Sequence, residues 1–218
     1  RRTMKWTHFF WDFDGTLFDT YGRITRAFVK GLADTGVRTD FDTALPLVKR
    51  SLGYAADWYA ARSGAAADAV LAAYHVHSEE ESDDTMRLFP GAREVLEAVV
   101  RGGGRNYLYT HRGTGALDAL ARNGLTGLFS GSVTGADGYP LKPAPDALLA
   151  MMTRYGLQAA DCVMVGDRDI DLDAGKNAGM AGILFDPDGF YPDYPTPWRY
   201  ASMTDMRKAI EDKEGEKQ

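Results

Sequence analysis

A run of aromatic residues ending in two acids constrains this chain more than any other stretch. His8-Phe9-Phe10-Trp11 leads into Asp12-Phe13-Asp14-Gly15-Thr16. A short apolar run bounded by glycine reads as a buried strand. Side chains alternate along a strand, so Asp12 and Asp14 would share a face if it ran on. Gly15 stops it, because glycine accepts backbone angles closed to other residues and a turn is expected there. Asp14 would then stand just past the strand tip, its side chain free to swing toward Asp12. Two carboxylates at one tip repel unless a cation or a shared proton offsets the cost. An Asp-Gly hairpin turn is the plainer reading of the same residues, and the rest of the chain has to decide.

After this strand the apolar spacing is helical for a long way. Asp19 or Thr20 is placed to cap a helix through Ile24, Ala27, Phe28, Gly31 and Leu32, which Gly36 would end. Further helical patterns cover Leu45 to Leu52, Ala56 to Arg62 and Ala66 to Val76. The tract Glu79-Glu80-Glu81-Ser82-Asp83-Asp84 reads as a solvated connection that closes a helical insert. From Leu88 the pattern changes. Pro90-Gly91 opens a helix to about Arg101, and Gly102-Gly103-Gly104 breaks it. A strand at Asn106 to Tyr109 ends at Thr110, followed by a helix over Gly115 to Arg122 and a short strand at Ser132-Val133-Thr134. A helix over Pro145 to Tyr155, a strand from Cys162 to Val165, a helix from Ile170 to Ala178 and a last strand from Ala181 to Phe185 complete the alternation. The proline- and tyrosine-rich stretch from Asp186 to Arg199 reads as an irregular arm. Ser202 or Thr204 would cap a final helix through Ile210, with Glu211 to Gln218 frayed.

Strands alternating with helices of this length form βαβ units around a parallel sheet. Ligands of such sheets bind at the carboxyl ends of the strands. Asp12, Thr110 and Asp167 all end strands on this reading, so they should meet at one edge. Lys142, just before Pro143, and the string Gly166-Asp167-Arg168-Asp169-Ile170-Asp171 add to it. If Asp167 starts a helix, Asp171 lies four residues on along the same side. Several carboxylates at one edge suit a hard divalent cation, and few-carboxylate sites that also take phosphate suit Mg²⁺. Phosphate is the natural anion between such a metal and a lysine. A carboxylate can attack phosphorus to give an aspartyl-phosphate. A second one can protonate the leaving oxygen and then activate water.

Composition narrows the partners. At 218 residues the chain can bury one sizeable core, or one core plus a small satellite domain. Lys+Arg 25 against Asp+Glu 31, a net charge of -6, argues against nucleic acid and anionic membranes. The single cysteine, Cys162, excludes an internal disulfide, and its apolar neighbours read as the packing of an inert thiol. No apolar leader follows Arg1-Arg2, and no run approaches the roughly 18 residues of a membrane span. A cytoplasmic monomer or homodimer is expected.

Asp12-Phe13-Asp14-Gly15-Thr16, Thr110, Lys142-Pro143 and Gly166-Asp167-Arg168-Asp169-Ile170-Asp171 resemble, in order, the four motifs of the haloacid-dehalogenase-like superfamily. The helical stretch between the first two resembles the small cap of its phosphoglycolate-phosphatase-like members. The resemblance implies an α/β fold: a Rossmann-like parallel sheet core with helices on both faces, and a small all-helical cap domain inserted after the first strand. The core would comprise 1–17 and 87–218, and the cap 18–86. It implies a Mg²⁺-dependent hydrolase of a small phosphoester such as phosphoglycolate. Asp12 would be nucleophile and metal ligand. Asp14 would be the general acid/base and give its backbone carbonyl to the metal, and Thr16 would help orient it. Thr110 and Lys142 would hold the transferring phosphoryl group. Asp167 would bind the metal directly, and Asp171 directly or through water. Asp169 lies off that face and suits a solvent or capping role.

One departure stands out. After the motif-two hydroxyl residue this chain has His111-Arg112, where family members often carry Asn. Gly15, Thr16, His111 and Arg112 are substrate-binding candidates, with His111 alternatively a plain loop residue. Lys49-Arg50 beside Gly53 and Tyr54 suggest that Arg50 recognises an anionic leaving group, a solvated basic helix end being the alternative. Trp58 and Tyr59 suit cap core. His8, His75 and His77 lack companion ligands and read as structural or exposed. A phosphomutase of the β-phosphoglucomutase kind would share the motifs. A true haloacid dehalogenase lacks the second acid, so Asp14 counts against it. A phospho-accepting signalling module also gathers acids, a hydroxyl and a lysine, but it is shorter and has no helical insert.

Overall fold

The computed structural model describes residues 5–80 and 86–212. In chain order the strands are β1 His8–Trp11, β2 Phe18–Asp19, β3 Arg87–Leu88, β4 Arg105–Tyr109, β5 Phe129–Val133, β6 Cys162–Gly166, β7 Ala181–Phe185 and β8 Arg199–Tyr200. The helices are α1 Tyr21–Asp34, α2 Phe41–Arg50, α3 Leu52–Ser63, α4 Ala67–Glu80, α5 Ala92–Arg101, α6 Gly115–Arg122, α7 Asp146–Tyr155, α8 Asp169–Asn177 and α9 Met203–Glu211. The chain divides into two compact units, one of Arg1–Phe18 with Leu88–Gln218 and one of Asp19–Arg87.

The first unit is built on a six-stranded sheet of order β5-β4-β1-β6-β7-β8, and each adjacent pair runs parallel. β1 sits inside it, Phe10 standing between Tyr107 and Met164. Every side chain from Phe9 to Trp11 is buried, as a strand covered on both faces requires. On one face Phe10, Tyr107, Tyr109, Cys162 and Met164 pack with Leu148 and Met151 of α7 and Ala174 of α8. On the other, Asn106 accepts from Trp11 Nε1 at 2.8 Å and donates to the Leu96 carbonyl of α5 at 3.0 Å. Its amide also donates to the Leu128 carbonyl at 3.1 Å, so a buried polar side chain spends its capacity on three partners.

Among the described residues of the second unit, the regular elements are α1 to α4 and the strand residues at its two ends. Phe28 and Leu32 of α1, Val48 of α2, Ala55 and Tyr59 of α3, and Val70 and Tyr74 of α4 form its core. Asp40 caps α2 by accepting from the Thr43 amide at 2.8 Å, and Ser51 caps α3 by accepting from Tyr54 at 2.9 Å.

Several boundaries differ from the sequence reading. The helix expected over Leu45 to Leu52 is cut at Ser51, whose extended backbone (φ -174°) ends α2 and starts α3. Thr20 stands at the α1 N-cap without a side-chain capping bond, and Asp19 belongs to β2. The arm after Asp186 returns to the sheet as β8, because Trp198 and Tyr200 carbonyls accept from Leu184 and Asp186 at 2.9 Å each. Ala181 to Phe185 is therefore not the last strand. Ser202, rather than Thr204, caps α9. α4 runs on through Glu79 and Glu80; the remainder of the acidic tract, from Glu81, and the tail after Asp212 lie outside the described residues. No described helix is long and apolar enough to cross a membrane.

Candidate active site

The carboxyl ends of β1, β4 and β6 deliver the chemistry-bearing side chains of the first unit. β1 stops at Trp11, and the Asp12 amide still donates to the Val165 carbonyl of β6 at 2.9 Å. That bond ties the base of Asp12 to the strand that ends at Gly166-Asp167. The chain then turns. Phe13 O accepts from Leu17 and Phe18 at 3.1 and 3.0 Å, and Gly15 takes a left-handed φ of 78°. A side chain at that angle would be strained.

Lys142 organises what the strand ends bring together. Its ammonium is completely buried and lies 2.7 Å from Asp12 Oδ1, 2.9 Å from Asp171 Oδ1 and 3.0 Å from the Tyr109 carbonyl. Its Nζ also stands 4.5 Å from the centre of the Tyr109 ring. One carboxylate oxygen from each of Asp12, Asp167 and Asp171 lies within 4.8 Å of the other two. Asp12 Oδ2 is buried without a hydrogen-bond partner, a costly state for a carboxylate oxygen. Oxygen-only donors at this spacing fit a hard divalent cation, and the unpartnered oxygen is where one would be satisfied.

Asp167 and Asp171 do not meet along one helix face. α8 begins at Asp169, so Asp167 lies before it, at the strand end. Asp171 reaches back to accept from the Arg168 amide at 3.1 Å, which caps the helix and turns its other oxygen toward Lys142. Asp169 accepts from the Ile170 amide at 2.8 Å, a local bond at the helix start. Thr16 donates to Asp167 Oδ1 at 3.2 Å.

The electrostatics follow from burial and neighbours. Burial pushes Asp12 up to about 6, the Asp171 charge adds to the rise, and Lys142 and Arg168 oppose it. For Asp171 burial also favours the neutral form, but Lys142 and Arg168 together outweigh it and the net shift is downward. Burial alone would discharge Lys142; the two carboxylates win and hold its pKa above the usual lysine range. The site therefore contains a fixed ammonium and carboxylates competing for it.

Asp14 is bound by a guanidinium from the loop after β4. Arg112 binds its carboxylate, with Nη2 2.6 Å from Oδ1 and Nε 3.3 and 3.2 Å from the two oxygens. The guanidinium also lies over the Phe13 ring at 5.4 Å. Thr110 is buried and accepts from the Arg112 amide at 3.1 Å, which leaves its own hydroxyl hydrogen to donate. The His111 ring accepts from the Lys142 backbone N–H at 2.8 Å. The part played by Tyr109, through its carbonyl and ring, went unread in the sequence; its place just before Thr110 at a strand end was the available signal. Cys162 is buried with its thiol pushed up to about 12 by burial, in keeping with an inert group.

Arg50 belongs to the helical unit, where its guanidinium stacks on Tyr54 at 4.0 Å. Lys49 is buried, 5.3 Å from the Tyr21 ring, and Arg62 covers Trp58 at 3.8 Å. Trp58 and Tyr59 pack into the core of that unit, as expected for core residues.

The carboxyl edge of a parallel α/β sheet thus carries a buried lysine among three carboxylates. Residues 6–179 match the family model described as haloacid dehalogenase-like hydrolase, and the chain belongs to that family. The phosphoglycolate phosphatase of Cupriavidus necator is 32% identical over 183 residues, covering 79% of this chain and 78% of the relative. Pyrophosphatase PpaX of Bacillus velezensis is 27% identical over 202 residues, 86% and 90% of the two chains. Among solved structures, a hydrolase from Streptococcus pneumoniae TIGR4 is 32% identical and superposes with a TM-score of 0.61, covering 84% of this chain and 94% of its own.

Proposed function

We propose that the chain is a Mg²⁺-dependent phosphomonoester hydrolase that works through an aspartyl-phosphate on Asp12. The observation that carries this reading is the buried Lys142 ammonium held against Asp12 and Asp171, with Asp167 in the same cluster. A lysine so placed neutralises an attacking carboxylate and the phosphoryl oxygens that would arrive beside it. Asp12, Asp167 and Asp171 would hold the metal through side-chain oxygens, and Asp14 through its backbone carbonyl. The cation would supply charge neutralisation at the phosphoryl group.

An Asp12 oxygen attacks phosphorus and the bond to the leaving oxygen breaks. That oxygen takes a proton from Asp14. Asp14 then removes a proton from water, water attacks phosphorus, the acyl-phosphate bond breaks, and Asp12 is regenerated with inorganic phosphate. Thr110 donates its hydroxyl to the phosphoryl group, with Gly15 and Thr16 as further substrate-binding candidates. Arg112, from the loop after β4, remains a substrate-binding candidate.

The substrate we favour is a small phosphoester with a second anion, phosphoglycolate being the candidate that the names of several relatives suggest. Residues 18–86 would serve as a cap domain that selects the leaving group, with Arg50 as its anion-recognising residue, and 1–17 with 87–218 as the catalytic core. A cytoplasmic location accords with this chemistry.

The test is a panel of phosphoglycolate, p-nitrophenyl phosphate and a hexose phosphate, assayed for phosphate release with Mg²⁺ and after chelation. Release that requires Mg²⁺ is expected. Full turnover after exhaustive chelation contradicts the metal, and a hexose phosphate isomerised without phosphate release contradicts hydrolysis.

A further inference from the structure

We propose that His111 is a positioning residue, whose ring holds the Lys142 backbone so that the lysine ammonium stays on Asp12. This deepens the reading of Lys142 given above and rests on it. The contact runs from the Lys142 backbone N–H to His111 Nε2 at 2.8 Å. A backbone amide can only donate, so Nε2 must be the acceptor, and the neutral ring must carry its hydrogen on Nδ1. A loop that supplies a catalytic lysine needs an anchor near its backbone, because four methylenes separate that backbone from the charge. Here the anchor is a side chain from the loop after β4.

The His111 end is itself fixed. The Gly135 amide donates to the Arg112 carbonyl at 2.8 Å. A side chain at Gly135 would come within contact of the His111 carbonyl that no real Cβ atom makes, so the two loops approach as closely as glycine allows. The His111 ring meets Tyr109 edge to face, with centroids 6.1 Å apart at 75°. Tyr109 in turn accepts the Lys142 ammonium on its carbonyl at 3.0 Å. Tyr109 and His111 therefore grip the lysine at both ends, ammonium and backbone.

The ring also has to stay neutral to accept a hydrogen bond. Burial first, then the Lys142 and Arg168 charges, push His111 down to about 4, so it remains an acceptor at neutral pH. A histidine in contact with a phosphate anion would instead be expected to gain a proton.

Three variants and one spectroscopic measurement test the assignment. His111→Leu removes the acceptor while keeping bulk. It should lower kcat about 10- to 100-fold, the scale of a small misplacement of a catalytic group, with KM changed by less than about threefold. His111→Gln restores an acceptor at nearly the Nε2 position and should recover most of the loss. In ¹⁵N-labelled parent protein, a scalar coupling between the Lys142 amide nitrogen and His111 Nε2 should be visible across the hydrogen bond, whether or not the Leu variant folds. Absence of that coupling overturns the proposal, as does a folded Leu variant with kcat within about threefold of the parent or a Gln variant as impaired as the Leu one. Lys142→Ala tests the underlying reading separately. Parental kcat in that variant would remove the lysine from the chemistry, while the coupling between His111 and the Lys142 backbone would still be seen.

Discussion

Asp12 and Asp14 are one residue apart and stand in different surroundings. Asp12 is buried against the Lys142 ammonium, whereas Asp14 is partly exposed and held by the Arg112 guanidinium. In the proposed mechanism Asp12 is the nucleophile and Asp14 the group that gives and takes the proton. Asp14→Asn should therefore lower kcat about 10²–10⁴-fold, the usual worth of positioned proton transfer. It should leave the Mg²⁺-dependent rise in melting temperature in place, since the variant keeps the backbone carbonyl. Steady-state rates on p-nitrophenyl phosphate and thermal melts with and without Mg²⁺ check both halves, and an unchanged kcat contradicts the role. The acids themselves were legible in the sequence, because carboxylates at strand ends announce their chemistry by residue type. The Arg112 partner of Asp14 was not. That pairing depends on where the loop after β4 comes to lie, and no local spacing encodes it.

At the scale of elements, α1 and α4 approach closely at Gly31. A Cβ at Gly31 would sit 2.7 Å from the Tyr74 backbone nitrogen and 3.0 Å from the Ala73 carbonyl carbon. Gly31→Ala gains about 1 kcal/mol of helix propensity. Backbone cannot swing aside as a side chain can, and overpacking of this kind costs about 1–3 kcal/mol. The clash should win, and urea melts should show a less stable protein; an equal or higher midpoint contradicts the packing. The same two helices are joined at the surface by His77, which bonds Asp34 through Nε2 at 2.7 Å and Glu80 through Nδ1 at 2.9 Å. Those two bonds, Asp34 first, raise the His77 pKa above its model-peptide value of 6.5. A raised histidine contributes stability that is complete below the unfolded value and fades as pH climbs through the folded one. The melting difference between the parent and His77→Gln should thus be larger at pH 6 than at pH 8.5, and equal differences would contradict the clasp. Sequence spacing located each long helix and each central strand, since both periods persist over many residues. It missed β2, β3 and β8 because two-residue strands carry no period, and it ran a helix through Ser51 because a cap inside an apolar pattern resembles a surface position. His77 read as structural or exposed; Glu80 lies three residues on along the same helix, but Asp34 ends α1, and sequence spacing alone does not bring it to α4.

Across the whole molecule, four motifs spread from Asp12 to Asp171 converge because a parallel sheet collects the carboxyl ends of its strands along one edge. That convergence was readable from the alternation of strands and helices. The arrangement at the edge was less so: Asp167 and Asp171 meet through a helix cap, not a helix face, and Thr16 turns to Asp167. The account stands or falls on whether Asp12 becomes phosphorylated. Acid quenching during turnover of p-nitrophenyl phosphate with Mg²⁺, then borohydride reduction and peptide mass spectrometry, reads this directly, because reduction converts a phosphorylated aspartate to homoserine. The account predicts homoserine at position 12 in the parent, none at Asp14, and neither label nor turnover in Asp12→Asn. Phosphate release by Asp12→Asn at the parental rate, with no modified residue at position 12 of the parent, would contradict it.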